Sequence, residues 1–375
     1  MKCRLFYSAI FVIAVLAGAQ RGRSASTEQQ WRNAEPGWQY GFPRDHHAHS
    51  DFKTEWWYFT GNLFDETGRR FGYELTFFRQ GIIPPAERNP ERSPFVVNDL
   101  KFAHFSITDG SGRRFLFEEK ASRGAFEDAG FDRGDVLAWI EDWSLEMNGA
   151  GEFKLAANGG RLRGRSPPRL ALNLRLRAIK PPVIHGKGGV SAKAIEEGHA
   201  SHYYSITRLT SLGTLQLDGR KFDINGTSWF DHEWATNQLA PHQLGWNWLC
   251  VQFDNNSELM LYQMRRDDGA FDPASSGTFV AADGAATHLR ADDFSMTSTG
   301  NWKSEKTGAV YPVRWRVQIP SLGIDITVRP VLSDQELALA PLTYWEGAID
   351  VSGSAKGVGY LELTGYAGGL SALNR

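Results

Sequence analysis

The feature that most constrains how this chain can fold is an alternation of apolar and polar residues with a period of two. It is clearest in residues 170–177, where every second residue is Leu, and in residues 313–319, where Val, Trp, Val and Ile alternate with Arg and Gln. Successive side chains of a strand point to opposite faces of its sheet, so the pattern predicts strands buried on one face. The one helical feature we predict is a short turn at residues 334–339.

Turn signals separate the alternating segments. Asp-Gly or Asn-Gly pairs, which are typical of tight hairpins, occur at positions 109–110, 148–149, 158–159, 218–219, 225–226, 268–269 and 283–284. Many short antiparallel strands must close or stack their sheets to remove exposed edges, which leaves barrels and sandwiches. We therefore predict an all-β fold and favour barrels.

The composition excludes several classes of protein. The 375 residues include 41 Lys and Arg against 43 Asp and Glu, a net charge of -2, so no strong field is available to recruit a polyanion. Thirteen Trp, 23 Phe and 11 Tyr, together with 39 Gly, suit strands, tight turns and apolar pockets. We expect no nucleic-acid partner and an apolar small molecule as the ligand.

The first 19 residues have the parts of a secretory signal peptide. Two basic residues precede a mostly apolar stretch, which ends in the small residues Ala17-Gly18-Ala19. We predict cleavage after residue 19, with Ala25 as a later alternative end, and an exported protein, either periplasmic or secreted; an uncleaved membrane anchor is a further alternative. The mature chain would then keep Cys250 as its single thiol, buried in an apolar strand, with no intramolecular disulfide.

The length suits two domains at ~150 residues each. After the signal peptide we predict an N-terminal extension at 20–44, a first domain at 45–230 and a second domain at 231–375. Segments 82–98 and 178–200 are rich in Pro, Gly and charged residues, and we predict that they are long loops beside a barrel mouth.

Several Trp-rich segments together point to a known family. They are Phe42 to His46 with His49, Thr54 to Leu63, His202 to Ser205, Ser228 to Trp234, Tyr344 to Gly347, and Gly359 to Tyr366. In content and order they resemble the family of carotenoid 1,2-hydratases (hydroxyneurosporene synthases) and AttH-like secreted proteins. The resemblance implies two tandem lipocalin-like antiparallel β-barrels, which agrees with the alternation and the turn signals.

The resemblance also implies a site and a reaction. His232, Trp234 and Tyr262 match the histidine, tryptophan and tyrosine of the hydratase site, where aromatic faces stabilise the carbocation formed by protonating an alkene. The hydratase acid lies two residues beyond that tyrosine, where this chain has Met264. Asp231 or Glu233 would then have to supply the proton from another direction.

Two segments, 229–234 and 55–58, combine aromatic and ionisable residues and form the candidate site. As strands, each divides its odd-numbered and even-numbered residues between two faces, and the pattern leaves open which face looks inward. The catalytic candidates are Asp231, His232, Glu233 and Glu55, and the ligand-binding candidates are Trp56, Trp57, Tyr58, Trp234 and Tyr262. We expect an elongated apolar ligand in the first barrel, with His232 and Trp234 on the cavity wall.

Carboxyl groups beside aromatic side chains are the candidate proton donors, because burial raises the pKa of a carboxyl group. They are Glu55, Asp231, Glu233, Glu346 and Glu362. The acidic and histidine-containing segments 45–49 and 231–233 lack Cys and the helical His spacing of zinc enzymes. We therefore predict no metal and no cofactor.

Three functions remain open at this point. The first is an exported protein that binds an apolar lipid or isoprenoid and hydrates one of its double bonds, as a hydro-lyase. The second is a non-catalytic lipid-binding or carrier protein associated with the cell envelope. The third is a secreted hydrolase, although the Gly-x-Ser-x-Gly motif of esterases does not occur.

Overall fold

The computed structural model describes residues 31–89, 93, 95–159, 169–339, 342–368 and 370. The predicted signal peptide and the first part of the predicted extension lie outside these residues. The described part of the chain contains strands and short 3-10 turns but no α-helix, and none of its helical turns has the length and apolar character of a membrane span. The 3-10 turns are Arg44–His46, Pro85–Glu87, Ala125–Glu127, Ala291–Asp293 and Pro320–Leu322.

The first sheet is a nearly closed barrel in which every strand is antiparallel to its neighbours. Its strands are β1 (Thr54–Asp65), β2 (Arg70–Gly81), β3 (Asp99–Asp109), β4 (Arg114–Ser122), β5 (Ala129–Arg133), β6 (Val136–Ile140), β7 (Trp143–Met147), β8 (Glu152–Gly159), β9 (Leu170–Ala178), β10 (Val183–Ile184), β11 (Ser191–Ala192), β12 (Ala200–Leu217) and β13 (Arg220–Ala235). The order is β4-β3-β2-β1-β13-β12-β9-β8-β7-β6-β5, and β10 and β11 also pair with β12. The side chains on its inner face form one apolar core.

The second sheet is a half-barrel with its own apolar core. Its strands are β14 (Gln243–Phe253), β15 (Glu258–Arg266), β16 (Ser276–Val280), β17 (Ala286–Arg290), β18 (Ser295–Lys303), β19 (Val310–Ile319), β20 (Ile324–Pro330), β21 (Glu336–Leu337), β22 (Tyr344–Gly353) and β23 (Gly357–Thr364). The order is β17-β16-β15-β14-β23-β22-β20-β19-β18, with β21 paired to β22.

The two sheets pack against each other through a third cluster of buried side chains. Strands β1 and β2 contact β23 and β22, and the cluster includes Tyr58 and Trp229 from the first sheet with Trp248 and Tyr360 from the second. As a result, the centre of the first sheet is buried on both faces: one face covers the barrel core and the other meets the second sheet. This two-sided burial decides where the functional site lies.

The predicted all-β fold with two lipocalin-like barrels is confirmed. Local predictions differ from the structure at four places, one of which is Asn158-Gly159, the last two residues of β8 and paired with β9 instead of forming a turn. Residues 334–339 contain the short strand β21 instead of a helical turn. The pair Asn225-Gly226 lies inside β13, where a Cβ on Gly226 would come within 2.1 Å of the Asn62 carbonyl oxygen, so this glycine serves a close approach between strands. Residues 231–235, predicted in the second domain, complete β13 of the first sheet.

Candidate functional site

The neighbouring strands β1 and β13 carry most of the predicted site residues. In their register Glu55 lies opposite Trp234, and Trp57 lies opposite His232. These four residues share the face that looks into the first barrel, where all four side chains are buried. The odd and even residues of each segment therefore lie on different faces, as the alternation predicts.

On the barrel face, Glu55 is the centre of a buried charge network. Its carboxylate accepts hydrogen bonds from His232 Nε2 at 3.0 Å, His49 Nδ1 at 2.7 Å and Arg79 Nε at 3.0 Å. Burial acts to raise the pKa of Glu55, but hydrogen bonds from the two histidines outweigh it and hold the pKa well below its usual range. Glu55 is therefore an ionised structural partner and a poor proton donor.

His49, Glu55 and His232 place atoms of the kind that bind metals within 4.8 Å of one another. Each of these side chains already has hydrogen-bond partners in the network, and the Arg79 guanidinium on Glu55 disfavours a second cation there. We interpret the group as a hydrogen-bonded network.

His232 and Trp234, predicted on a cavity wall, lie in the interior of the first barrel and do not border the cavity between the sheets described below. Both side chains are fully buried, and Trp234 stacks on His49 with ring centroids 3.7 Å apart and planes 5° apart. His49 belongs to the segment before β1, and Trp38 and Tyr40 of the same segment pack against the barrel core. Part of the predicted N-terminal extension thus helps to fill the barrel space in which we expected a ligand.

A cavity with a volume of about 140 Å³ lies on the opposite face of β1 and β13, between the two sheets. Its apolar wall comes from both sheets and consists of Trp56, Tyr58, Phe78, Phe102, Tyr203, Leu239, Trp246, Trp248, Tyr262, Met264, Leu342 and Tyr344. An apolar cavity of about 150 Å³ in a protein core stays dry and binds benzene. The cavity therefore encloses a group of benzene size, so an elongated ligand would have to extend out of it.

Asp231 borders this cavity and is held by three donors. Its Oδ1 accepts hydrogen bonds from Ser205 Oγ and from Trp229 Nε1 at 2.6 Å, and its Oδ2 accepts one from Tyr203 Oη at 2.8 Å. Burial raises the pKa of Asp231 to about 7, although these three hydrogen bonds act in the opposite direction. Near neutral pH this carboxyl group therefore exists in both protonated and ionised forms.

Glu362 is a second acid on the cavity wall. Burial raises its pKa to about 8, partly offset by a hydrogen bond from Trp246. Glu346 lies directly opposite Glu362 in the register of β22 and β23, and its Oε1 accepts a hydrogen bond from Tyr58 Oη at 2.7 Å. Burial, followed by the nearby charge of Glu362, raises the pKa of Glu346 well above its usual value. The sheet interface thus holds several carboxyl groups whose pKa values are raised by burial.

Glu233 and Tyr262 also border the cavity, but each has a structural partner. Lys193 Nζ lies 2.9 Å from Glu233 Oε1 and 4.3 Å from the centre of the Tyr262 ring. The Tyr262 hydroxyl donates to the Ala192 carbonyl oxygen at 2.8 Å. The cation–π position predicted for Tyr262 is therefore already taken by an ammonium group of the protein itself.

The structure thus divides the predicted site residues into two groups. Asp231, Glu233, Trp56, Tyr58 and Tyr262 meet at the cavity between the sheets. Glu55, Trp57, His232 and Trp234 form the network inside the first barrel, and although Glu55 also borders the cavity, its carboxylate is engaged by the two histidines. Met264, where the hydratase resemblance leads us to expect an acid, lies on the cavity wall.

Several residues of the cavity wall were not predicted from the sequence, among them Lys193, Tyr203, Trp246 and Trp248. A signal existed for the two tryptophans, because they alternate in an apolar strand and so share one face. None existed for Lys193, which lies in a segment predicted as a long loop beside a barrel mouth but is buried against Glu233.

Two antiparallel barrels in tandem, with a cavity between their sheets, define a lipocalin-like two-barrel protein. A family model described as AttH-like matches residues 33–366, and the chain belongs to this family. It is similar to the crystal structure of an AttH protein from Nitrosomonas europaea, with 31% identity, 89% of this chain and 99% of that chain covered, and a TM-score of 0.78.

The fold is also similar to that of kievitone hydratase from Nectria haematococca. The identity is 14%, the alignment covers 88% of this chain and 93% of that chain, and the TM-score is 0.65. Among curated protein sequences none matches this chain. At 14% identity, the similarity to kievitone hydratase is a similarity of fold.

Proposed function

We propose that this AttH-like protein binds an apolar, alkene-bearing ligand between its sheets and adds water to the double bond by acid catalysis. The observation that supports this most is the presence of two buried acids, Asp231 and Glu362, with pKa values raised to about 7 and 8, on one aromatic cavity wall. Acids with such pKa values can donate a proton at neutral pH. The hydratase among the structures of similar fold is consistent with the proposal.

The reaction needs no cofactor. A carboxyl group gives its proton to one alkene carbon, and the other carbon becomes a cation beside the faces of Trp56 and Trp248. Water adds to the cation and releases a proton to a carboxylate such as Glu233, which is paired with Lys193. One alkene and one water thus give one alcohol. We retain the predicted export and envelope association as part of the proposal, because membranes are rich in apolar ligands.

The size of the cavity indicates a probe for this reaction. α-Methylstyrene has a benzene-sized ring and forms a tertiary cation on protonation. The wild-type protein is expected to convert it to an alcohol heavier by 18 mass units, measured by mass spectrometry. General acid catalysis typically contributes about 10²–10⁴-fold to a rate, so Asp231→Asn or Glu362→Gln should slow the conversion by about that factor if the group replaced is the donor.

Asp223→Asn is the matched control, because Asp223 lies on the same strand, β13, with an exposed side chain. It should leave the conversion unchanged. If the wild-type protein binds α-methylstyrene but never adds water, the hydratase proposal is wrong and the non-catalytic binding function takes its place. A hydrolase has less support, since the cavity wall formed by the described residues includes neither Ser nor Cys.

A further inference from the structure

A chain of buried side chains leads from Asp231 away from the cavity. Ser205 Oγ donates to Asp231 Oδ1, His185 Nε2 lies 2.6 Å from Ser205 Oγ, and His185 Nδ1 lies 2.8 Å from Thr278 Oγ1. None of the four side chains is appreciably exposed. Neither Ser205, His185 nor Thr278 borders the cavity, so ligand contact does not explain this arrangement.

In this row of side chains each hydrogen bond is donated in the direction of Asp231. The single hydroxyl proton of Ser205 is given to Asp231, so Ser205 Oγ accepts from His185 Nε2, which must carry a proton. Burial, and then the charge of Lys193, lowers the pKa of His185 to about 3, so its ring is neutral. Its Nδ1 is therefore an acceptor, and Thr278 donates to it.

The row of hydrogen-bonded side chains ends at Thr278, near the edge of the second sheet. Thr278 on β16 lies opposite His288 on the edge strand β17, and the side chain of His288 is exposed. The hydrogen-bonded row thus runs from a carboxyl group on the cavity wall to the buried Thr278, one strand in from the exposed His288 at the sheet edge. A row of hydrogen bonds with one direction is the arrangement that passes a proton from group to group.

We propose that Thr278, His185 and Ser205 form a proton relay that reloads Asp231 from solvent after it has protonated a ligand, which makes Asp231 rather than Glu362 the donor in the proposed hydration. In one transfer, Asp231 takes the Ser205 hydroxyl proton, and Ser205 takes the Nε2 proton of His185. His185 Nδ1 takes the Thr278 hydroxyl proton, and Thr278 takes one from solvent. Thr278, His185 and Ser205 each give one proton and gain one, so one proton enters the relay and the Asp231 carboxylate becomes neutral. The inference rests on the proposed function for its purpose.

The test measures proton exchange at Asp231 without any ligand. The full chain is labelled with ¹³C at the Asp side-chain carboxyl groups, and NMR follows the Asp231 signal through its titration. Ser205→Ala and Thr278→Val cut the relay at its two ends. We expect each to slow exchange between the protonated and ionised forms by about tenfold, equivalent to about 1.4 kcal/mol in the barrier.

Tyr203→Phe is the matched control. Like Ser205→Ala it removes one hydroxyl donor from Asp231, so both should raise the pKa of Asp231, but Tyr203 is not part of the relay. Thr278→Val should slow exchange while leaving this pKa unchanged, which a merely structural role would not produce.

The relay is refuted if both Ser205→Ala and Thr278→Val exchange at the wild-type rate, or if Tyr203→Phe slows exchange as much as they do. Because no ligand is present, this result is independent of the α-methylstyrene test. A failed hydration with slowed exchange in the two relay variants would reject the proposed function and keep the relay.

Discussion

Replacing Trp234 by Ala is expected to lower the free energy of unfolding by ~3–5 kcal/mol, the cost of deleting a large, fully packed aromatic side chain. Trp234 has no exposed surface and stacks on His49, which in turn is bound to Glu55. Its removal leaves a hole beneath the N-terminal segment. Urea unfolding of the wild type and the variant measures the difference.

Trp248→Ala is the matched comparison for this prediction. It deletes the same side chain, but from the cavity wall, where space already exists on one side. We expect Trp248→Ala to weaken α-methylstyrene binding, and Trp234→Ala to leave binding unchanged at temperatures where the variant is folded. The opposite result, in which Trp234→Ala abolishes α-methylstyrene binding without loss of stability, would indicate that the ligand binds inside the first barrel.

The buried acids between the sheets are expected to make the protein less stable as the pH rises. Burial raises the pKa of Glu74, a fully buried residue, to about 8. In the unfolded chain a Glu ionises near pH 4.5, so below that pH the folded state loses nothing by keeping Glu74 protonated. Between pH 4.5 and about 8 only the unfolded state gains by ionisation, and stability falls with increasing pH.

Glu74→Gln isolates this effect, because the amide cannot ionise and its carbonyl oxygen can still accept from Thr76 Oγ1, as Glu74 does at 2.5 Å. We expect equal stability of the two proteins at pH 4.5. At pH 8 the variant should be more stable by several kcal/mol, since each unit of pKa shift corresponds to about 1.4 kcal/mol. Unfolding midpoints measured across this range test it. A difference that is constant with pH would show that Glu74 is ionised in the folded protein.

Most of the fold could be predicted from local sequence and the family resemblance. The alternation in residues 170–177 and 313–319 corresponds to β9 and β19, in which exposed and buried residues alternate. Such strands can be predicted from the sequence because one face meets solvent and the other is buried, so polar and apolar residues alternate. At Asn225-Gly226 the turn prediction was wrong, because the glycine is needed where the neighbouring strand β1 passes close by.

The site was only half predictable, for a physical reason. Alternation correctly separates Asp231 from His232, but both faces of β13 are buried at this point, so hydrophobicity carries no information about which face meets the cavity. The cavity also depends on contacts between residues far apart in sequence, such as Tyr58 and Glu346. Only the packing of one sheet on the other places Trp248 beside the strand that carries Asp231.

The position of a bound ligand tests the central claim most directly. A crystal of the wild-type protein grown with 4-bromo-α-methylstyrene, measured for anomalous scattering, locates the bromine atom. We expect its peak between the two sheets, in the cavity bordered by Trp248, Asp231 and Glu362. A peak inside the first barrel beside Trp234 and His232, or no peak in the cavity at a saturating concentration of the probe, would contradict that claim.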